Sequence, residues 1–173
     1  MRTILVATDG SRSSQHAVAE AAALAVTCGA DLVALNVVGL EGANAYREFA
    51  EVELAERPAN LEPSLPTAVA PGGTAALEFM RLRDTHSYAM DQLISERTLD
   101  AAEQIAKAAG VTALRRISSS GHTANEIVRV ADSLDADLVV MGRRGLNPVV
   151  EFLLGSITQK VLHLTNRTVM VVS

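Results

Sequence analysis

Apolar positions along the chain follow two alternating patterns: short, nearly unbroken runs, and longer stretches in which they recur every three or four residues. Thr3-Ile4-Leu5-Val6-Ala7-Thr8 is a run of the first kind, as expected of a strand covered on both faces in a parallel sheet. Past Asp9-Gly10-Ser11 the period changes. Ala17, Val18, Ala21, Leu24, Ala25 and Cys28 mark one side of a helix, and Gly29 stands at its stop position. Asp31 to Val38 is the next strand, which completes a βαβ unit.

From about 39 to 86 this rhythm is lost. Residues 41–57 are polar with a weak helical period, and Pro58, Pro63, Pro66, Pro71 and Gly72-Gly73 punctuate the next stretch of chain. A short helix is expected over 74–83. The stretch from about 40 to 86 reads as an insertion in a single domain spanning 1–173, because it holds too little apolar material for a core of its own. Order returns near Tyr88 with a helix to Ala109, where Leu99, Ala102, Ile105, Ala106 and Ala109 share a side and Gly110 closes it. Val111 to Ile117 is a strand whose alternating end suggests a sheet edge. Thr123-Ala124-Asn125-Glu126 reads as a capping box opening a helix to about Leu134. Asp137 to Met141 is a fourth strand. Ser156-Ile157-Thr158-Gln159 reads as a second capping box with Ser156 as N-cap, and its helix leads to a last strand at Thr168–Val172. Five strands separated by helices predict an α/β fold with a doubly wound parallel sheet.

Composition narrows the function classes. At 173 residues, 49% hydrophobic and 3% aromatic, the chain suits an α/β layer fold. A net charge of −5 argues against sequence-independent nucleic-acid binding, which needs a basic face. Cys28 is the sole cysteine, so neither an intrachain disulfide nor a cysteine-based metal cluster is available. Histidines 16, 86, 122 and 163 lack metal-ligand spacing. No signal-like segment or membrane-length apolar run occurs, and a cytoplasmic location with no membrane partner is expected.

Two loops carry candidate chemistry. Ligands in doubly wound sheets bind at the carboxyl ends of strands, where the strand order reverses. Asp9-Gly10-Ser11 follows the first strand, and Met141-Gly142-Arg143-Arg144-Gly145 through Gly155-Ser156 follows the fourth. If those strands are neighbours, the two loops line one crevice. Asp9 is an acceptor for an exocyclic amine or sugar hydroxyl, or alternatively a cap for the Ser11 or Arg12 amides. Gly142 and Gly145 permit tight turns, while Gly155, Ser156 and Ile157 offer amides at a helix N-terminus, where the dipole favours phosphate. Arg143 and Arg144 are candidate phosphate contacts or a solvated pair. Both lysines, Lys107 and Lys160, lie outside the glycine loop, which removes a Walker-type phosphoryl-transfer site.

These residues resemble the universal stress protein family. The likeness rests on Gly142, Gly145, Gly155 and Ser156 at the family's spacing, on Ile4–Ser11, on Gly121–Ile127 and on Asp137–Gly142. It covers residues 1–38 and about 99–173. The resemblance implies strand order 3-2-1-4-5 in a Rossmann-like, adenine nucleotide alpha hydrolase-like sheet. It also implies ATP or AMP as ligand, with or without Mg2+, and a stress-response role through ligand-dependent dimer or partner contacts. By the same resemblance Ala7, Thr8 and Asp9 lie along the nucleoside and Val37 against adenine. Met141 and Gly142 approach the ribose or phosphate, and Gly145, Gly155, Ser156 and Ile157 hold the phosphates. Val169, Met170, Val171 and Val172 would pair with a second copy across a two-fold axis. The chain departs from the pattern at Asn147-Pro148-Val149-Val150, which is apolar where relatives often carry a basic residue.

Other readings of the same fold are a slow ATPase, an adenylylating enzyme and a nucleotide-independent interaction module. No nucleophile–base pair is fixed by sequence beside Ser156. The loop after the first strand also lacks the motifs that adenylylation would demand.

Overall fold

The computed structural model describes residues 1–39, 74–143 and 154–173, and along 74–89 it is the backbone that is described. Its sheet is parallel with order β3-β2-β1-β4-β5. The strands are β1 (Thr3–Ala7), β2 (Asp31–Gly39), β3 (Leu114–Gly121), β4 (Leu138–Gly142) and β5 (Thr168–Val172). The helices described are α1 (Arg12–Cys28), α2 (Thr74–Ala108), α3 (Thr123–Ser133) and α4 (Ser156–Leu164). The expected order 3-2-1-4-5 is therefore the observed one.

Side-chain alternation along each strand divides the core in two. Ile4, Val6, Leu32, Ala34, Leu138 and Val140 face α1 and α2, where Ala17, Val18, Ala21, Leu99, Ala102 and Ala106 cover them. Leu5, Val33, Leu35, Val37, Val139 and Met141 face the other way, against Ala124, Ile127 and Val130 of α3 and Val161 of α4. The alanines of α1 let that helix approach the sheet closely. It ends as its sequence suggests, with Gly29 left-handed at φ 61° and its N–H donating to the Ala25 carbonyl.

Three local expectations are corrected. The short helix at 74–83 and the helix from Tyr88 are one element of 35 residues, Thr74–Ala108. No proline or glycine interrupts that span, and extending a formed helix is far easier than nucleating a second. The third strand runs over Leu114–Gly121 and not 111–117. Its polar end, Ser118-Ser119-Ser120, pairs through the backbone with Val37 and its neighbours whatever its side chains. The expected edge position of this strand holds. Neither capping box forms. The N-cap of α3 is His122, not Thr123, and Glu126 instead accepts from Ser119 Oγ and the Arg129 guanidinium. The N-cap of α4 is Gly155, which makes Ser156 the first helical residue, and Gln159 Nε2 donates to the Leu154 carbonyl.

Ion pairs fasten the layers. Arg116 on β3 reaches Glu96, Asp100 and Glu103 of α2 at 2.8, 2.7 and 3.1 Å. Arg167, just before β5, joins Asp132 in the last turn of α3 and Asp135 just beyond it. Asp137 accepts from the Arg2 and Thr3 amides and so ties the start of β1 to that of β4.

Those two amide donors hold the Asp137 carboxyl below its ordinary pKa. Arg129 with Ser119 does the same for Glu126, and Lys107 with Arg116 for Glu103. A depressed carboxyl stabilises the fold fully above its unfolded value, about 4, and this contribution is lost as pH falls through the lower folded value. Stability is therefore expected to fall as pH drops below about 4. Asp137→Asn should lower stability at neutral pH and flatten the acid limb. Urea unfolding at pH 7 and pH 3 checks this; equal losses for both proteins on acidification would contradict it.

Candidate nucleotide-binding crevice

β1 and β4 are neighbours, with Ala7 opposite Met141, and the strand order reverses between them. The loops after both strands therefore leave the sheet side by side.

The first loop is locked by its own polar groups. Gly10 turns the chain at φ 82°, a conformation open to glycine. The Ser11 N–H donates to Asp9 Oδ1 at 3.0 Å, and Ser11 Oγ, as N-cap of α1, accepts from the Ser14 N–H at 3.2 Å. Ser14 Oγ donates to the Ser11 carbonyl at 2.9 Å, so in the 3.0 Å Thr8–Ser14 contact the Thr8 hydroxyl is the donor. Thr8 Oγ1 in turn accepts from the Gly10 N–H. The Thr8 carbonyl accepts from Asn36 Nδ2 at 2.8 Å. Asp9 thus does cap the turn, with one oxygen; the other lies outside this bond.

The second loop is described at its two ends, and they are pinned together. The Arg143 N–H donates to the Val172 carbonyl at 2.7 Å, and the Arg143 carbonyl accepts from the Gly155 N–H at 2.8 Å. Thr158 Oγ1 donates to the Gly142 carbonyl at 3.1 Å, which fixes the first turn of α4 against the end of β4. The Gly155 amide expected for phosphate is thus engaged by Arg143. The remaining first-turn donors of α4 are the N–H groups of Ser156, Ile157 and Thr158, which by position lack an intrahelical acceptor. Arg144 and Gly145 lie outside the described residues.

Other expected site residues take specific places. Ala7 and Thr8 stand at the end of β1. Val37 and Met141 have their side chains in the core, 6% and 5% exposed, so a ligand would meet their backbone. Gly142 closes β4. A Cβ there would lie 2.7 Å from Ser13 Oγ and under 3 Å from backbone atoms of Ser13 and Ser14. Its missing side chain lets α1 abut the strand end, a packing reason and not the turn expected.

Sequence reasoning missed Ser14, Asn36 and Thr158. A signal existed for Asn36, a polar residue of low strand preference inside the apolar run Leu32–Val38. Ser14 and Thr158 act through neighbours distant in sequence or across a turn, which local pattern does not encode. Among the described residues no group of His, Cys, Asp or Glu is placed to hold a metal ion. No helix among them is long and apolar enough to cross a membrane.

The fold and crevice define a doubly wound α/β protein with an anion-favouring helix terminus at the strand reversal. The universal stress protein family model matches residues 1–173, and the chain belongs to that family. A universal stress protein of Synechocystis sp. is 37% identical over 76 residues, covering 44% of this chain and 48% of the relative. One from Methanothermobacter thermautotrophicus is 45% identical over 49 residues, covering 28% of this chain and 33% of the relative. The matched stretches thus span half or less of these relatives. Among solved structures, universal stress protein UspA from Lactobacillus plantarum aligns with TM-score 0.63 at 22% identity, covering 99% of this chain and 97% of that one. A universal stress protein in complex with cAMP aligns with TM-score 0.58 at 25% identity, covering 99% and 95%.

Proposed function

We propose that this chain binds an adenine nucleotide, ATP or AMP with or without Mg2+, and regulates a stress response through ligand-dependent contacts. The observation that carries the reading is the meeting, on neighbouring strands at the reversal, of a pre-organised acidic loop and a pinned loop that opens a helix N-terminus. Asp9 would receive a sugar hydroxyl or amine. Ser156 and Ile157 amides, with Gly145 and the Arg143 or Arg144 side chain, would hold phosphate; the helix dipole supplies charge complementarity that the apolar mid-loop does not. The relative solved with cAMP, an adenine nucleotide, supports the ligand class.

Contacts with a second copy would use β5. It is an outer strand with Val169 to Val172 half-buried, so its open edge is suited to pairing with itself. We read the chain as one cytoplasmic domain, its segment from about 40 bearing on partner choice.

Isothermal titration of the full chain with AMP, ATP, cAMP and GMP tests the reading. Saturable binding of an adenine nucleotide in preference to GMP is expected; heats of dilution alone for all four would defeat it.

A further inference from the structure

We propose that Asn36 is a positioning residue for base recognition: its side chain takes the Thr8 carbonyl, ends the β1–β2 ladder and leaves the Val37 peptide facing the crevice. This rests on reading the crevice as an adenine-nucleotide site.

In a parallel pair, one residue directs both its N–H and C=O to one neighbouring strand and the next residue directs both to the other. The Thr8 N–H donates to the Leu35 carbonyl at 2.9 Å, so Leu35 faces β1, and so does Val37 two residues on. Continuing the ladder would require the Val37 N–H to donate to the Thr8 carbonyl, with Thr8 opposite Asn36. Instead the register stops at Ala7 opposite Leu35, and the Thr8 carbonyl accepts from Asn36 Nδ2. β2 runs on to Gly39 paired with β3 alone. The Val37 N–H and C=O therefore face the space past the end of β1, over the Asp9 turn.

The position itself argues that this bond matters. Asn36 is 1% exposed, and its Oδ1 has no partner among the described residues. A half-satisfied amide in a core strand costs stability relative to an aliphatic of similar size. What the amide does accomplish is the capture of the Thr8 carbonyl. A strand residue offering its N–H beside its own C=O complements the N1 acceptor and N6 amine of adenine. Guanine presents the opposite pair, an N1–H donor and an O6 acceptor, so the freed peptide selects between them.

The test uses the full chain with backbone 15N labelling, together with Asn36→Leu. In the unaltered protein the Val37 amide should exchange rapidly without nucleotide and slow when AMP is added. Slow exchange without nucleotide would overturn the proposal and needs no variant. In Asn36→Leu the preference for AMP over GMP should collapse at least about tenfold. A loss of melting temperature with that preference intact would show a purely structural role and overturn it. Failure of the unaltered chain to bind any adenine nucleotide defeats the binding reading, and Val37 exchange then decides the ladder claim by itself.

Discussion

Gly142→Ala is expected to lower stability by about 2–3 kcal/mol, as overpacking against unyielding atoms does. For a chain of this size that corresponds to a fall in melting temperature of roughly 5–10 °C. The added methyl would meet Ser13 Oγ, which can rotate away, and also the backbone of Ser13 and Ser14, which cannot. Relief requires α1 to back away from β4. Ser14 is bonded to Ser11 and Thr8, so that movement would drag the Asp9 turn with it. AMP affinity should therefore fall by about tenfold or more. Urea unfolding and calorimetric titration on the same preparation check both effects. A variant with the unfolding midpoint of the unaltered protein would show that α1 accommodates the methyl freely.

The second large effect falls at Asp9, where two substitutions separate two roles. Asp9→Asn keeps an oxygen for the Ser11 N–H and removes the charge; Asp9→Ala removes both. Losing the turn bond should cost about 1 kcal/mol, so the alanine variant should melt lower than the asparagine one. Losing a charged acceptor to a sugar hydroxyl or amine should weaken AMP binding about 10- to 100-fold. Titration calorimetry reads the affinity and thermal melts read the stability. Affinity unchanged in Asp9→Ala would reduce Asp9 to a capping residue.

The layer order of this protein is legible in its sequence because a doubly buried strand needs an apolar run and an amphipathic helix needs its period. Ile4–Ala7, Asp31–Val38 and Leu138–Met141 carry the first signal, and Ala17 to Ala25 the second. The edge position of β3 is legible for the converse reason, that the alternating polar end of the expected strand 111–117, with Arg115 and Arg116, fits poorly in a covered strand. The N-caps of α3 and α4 are not legible, because Thr123 and Ser156 fit the capping pattern while His122 and Gly155 hold the cap position. A capping box specifies side chains that could bond; which residue leaves the helical conformation depends on how the preceding loop arrives. That is a tertiary matter. In α4 it is decided by the Gly155–Arg143 bond.

The site shows the same division. The place expected for the candidate site follows from strand ends and glycines, and Asp9, Gly142 and Ser156 can be named as candidates from sequence. Their working detail cannot. Gly142 answers to Ser13, which is distant in sequence, and the Gly155 amide is consumed by Arg143. The Thr8 carbonyl is held from another strand by Asn36. Each of these is a contact between segments whose approach only the folded sheet determines.

The measurement that tests the central claim most directly is an AMP titration of the 15N-labelled full chain followed by backbone amide shifts, which report binding and its place together. Saturable shifts are predicted at Asp9, Gly10, Val37, Arg143, Ser156 and Ile157. A hollow at the opposite end of the sheet, lined by Thr3, Asp31, Arg115 and Leu134, should stay silent. Shifts confined to that hollow, or none at saturating AMP, would contradict the account.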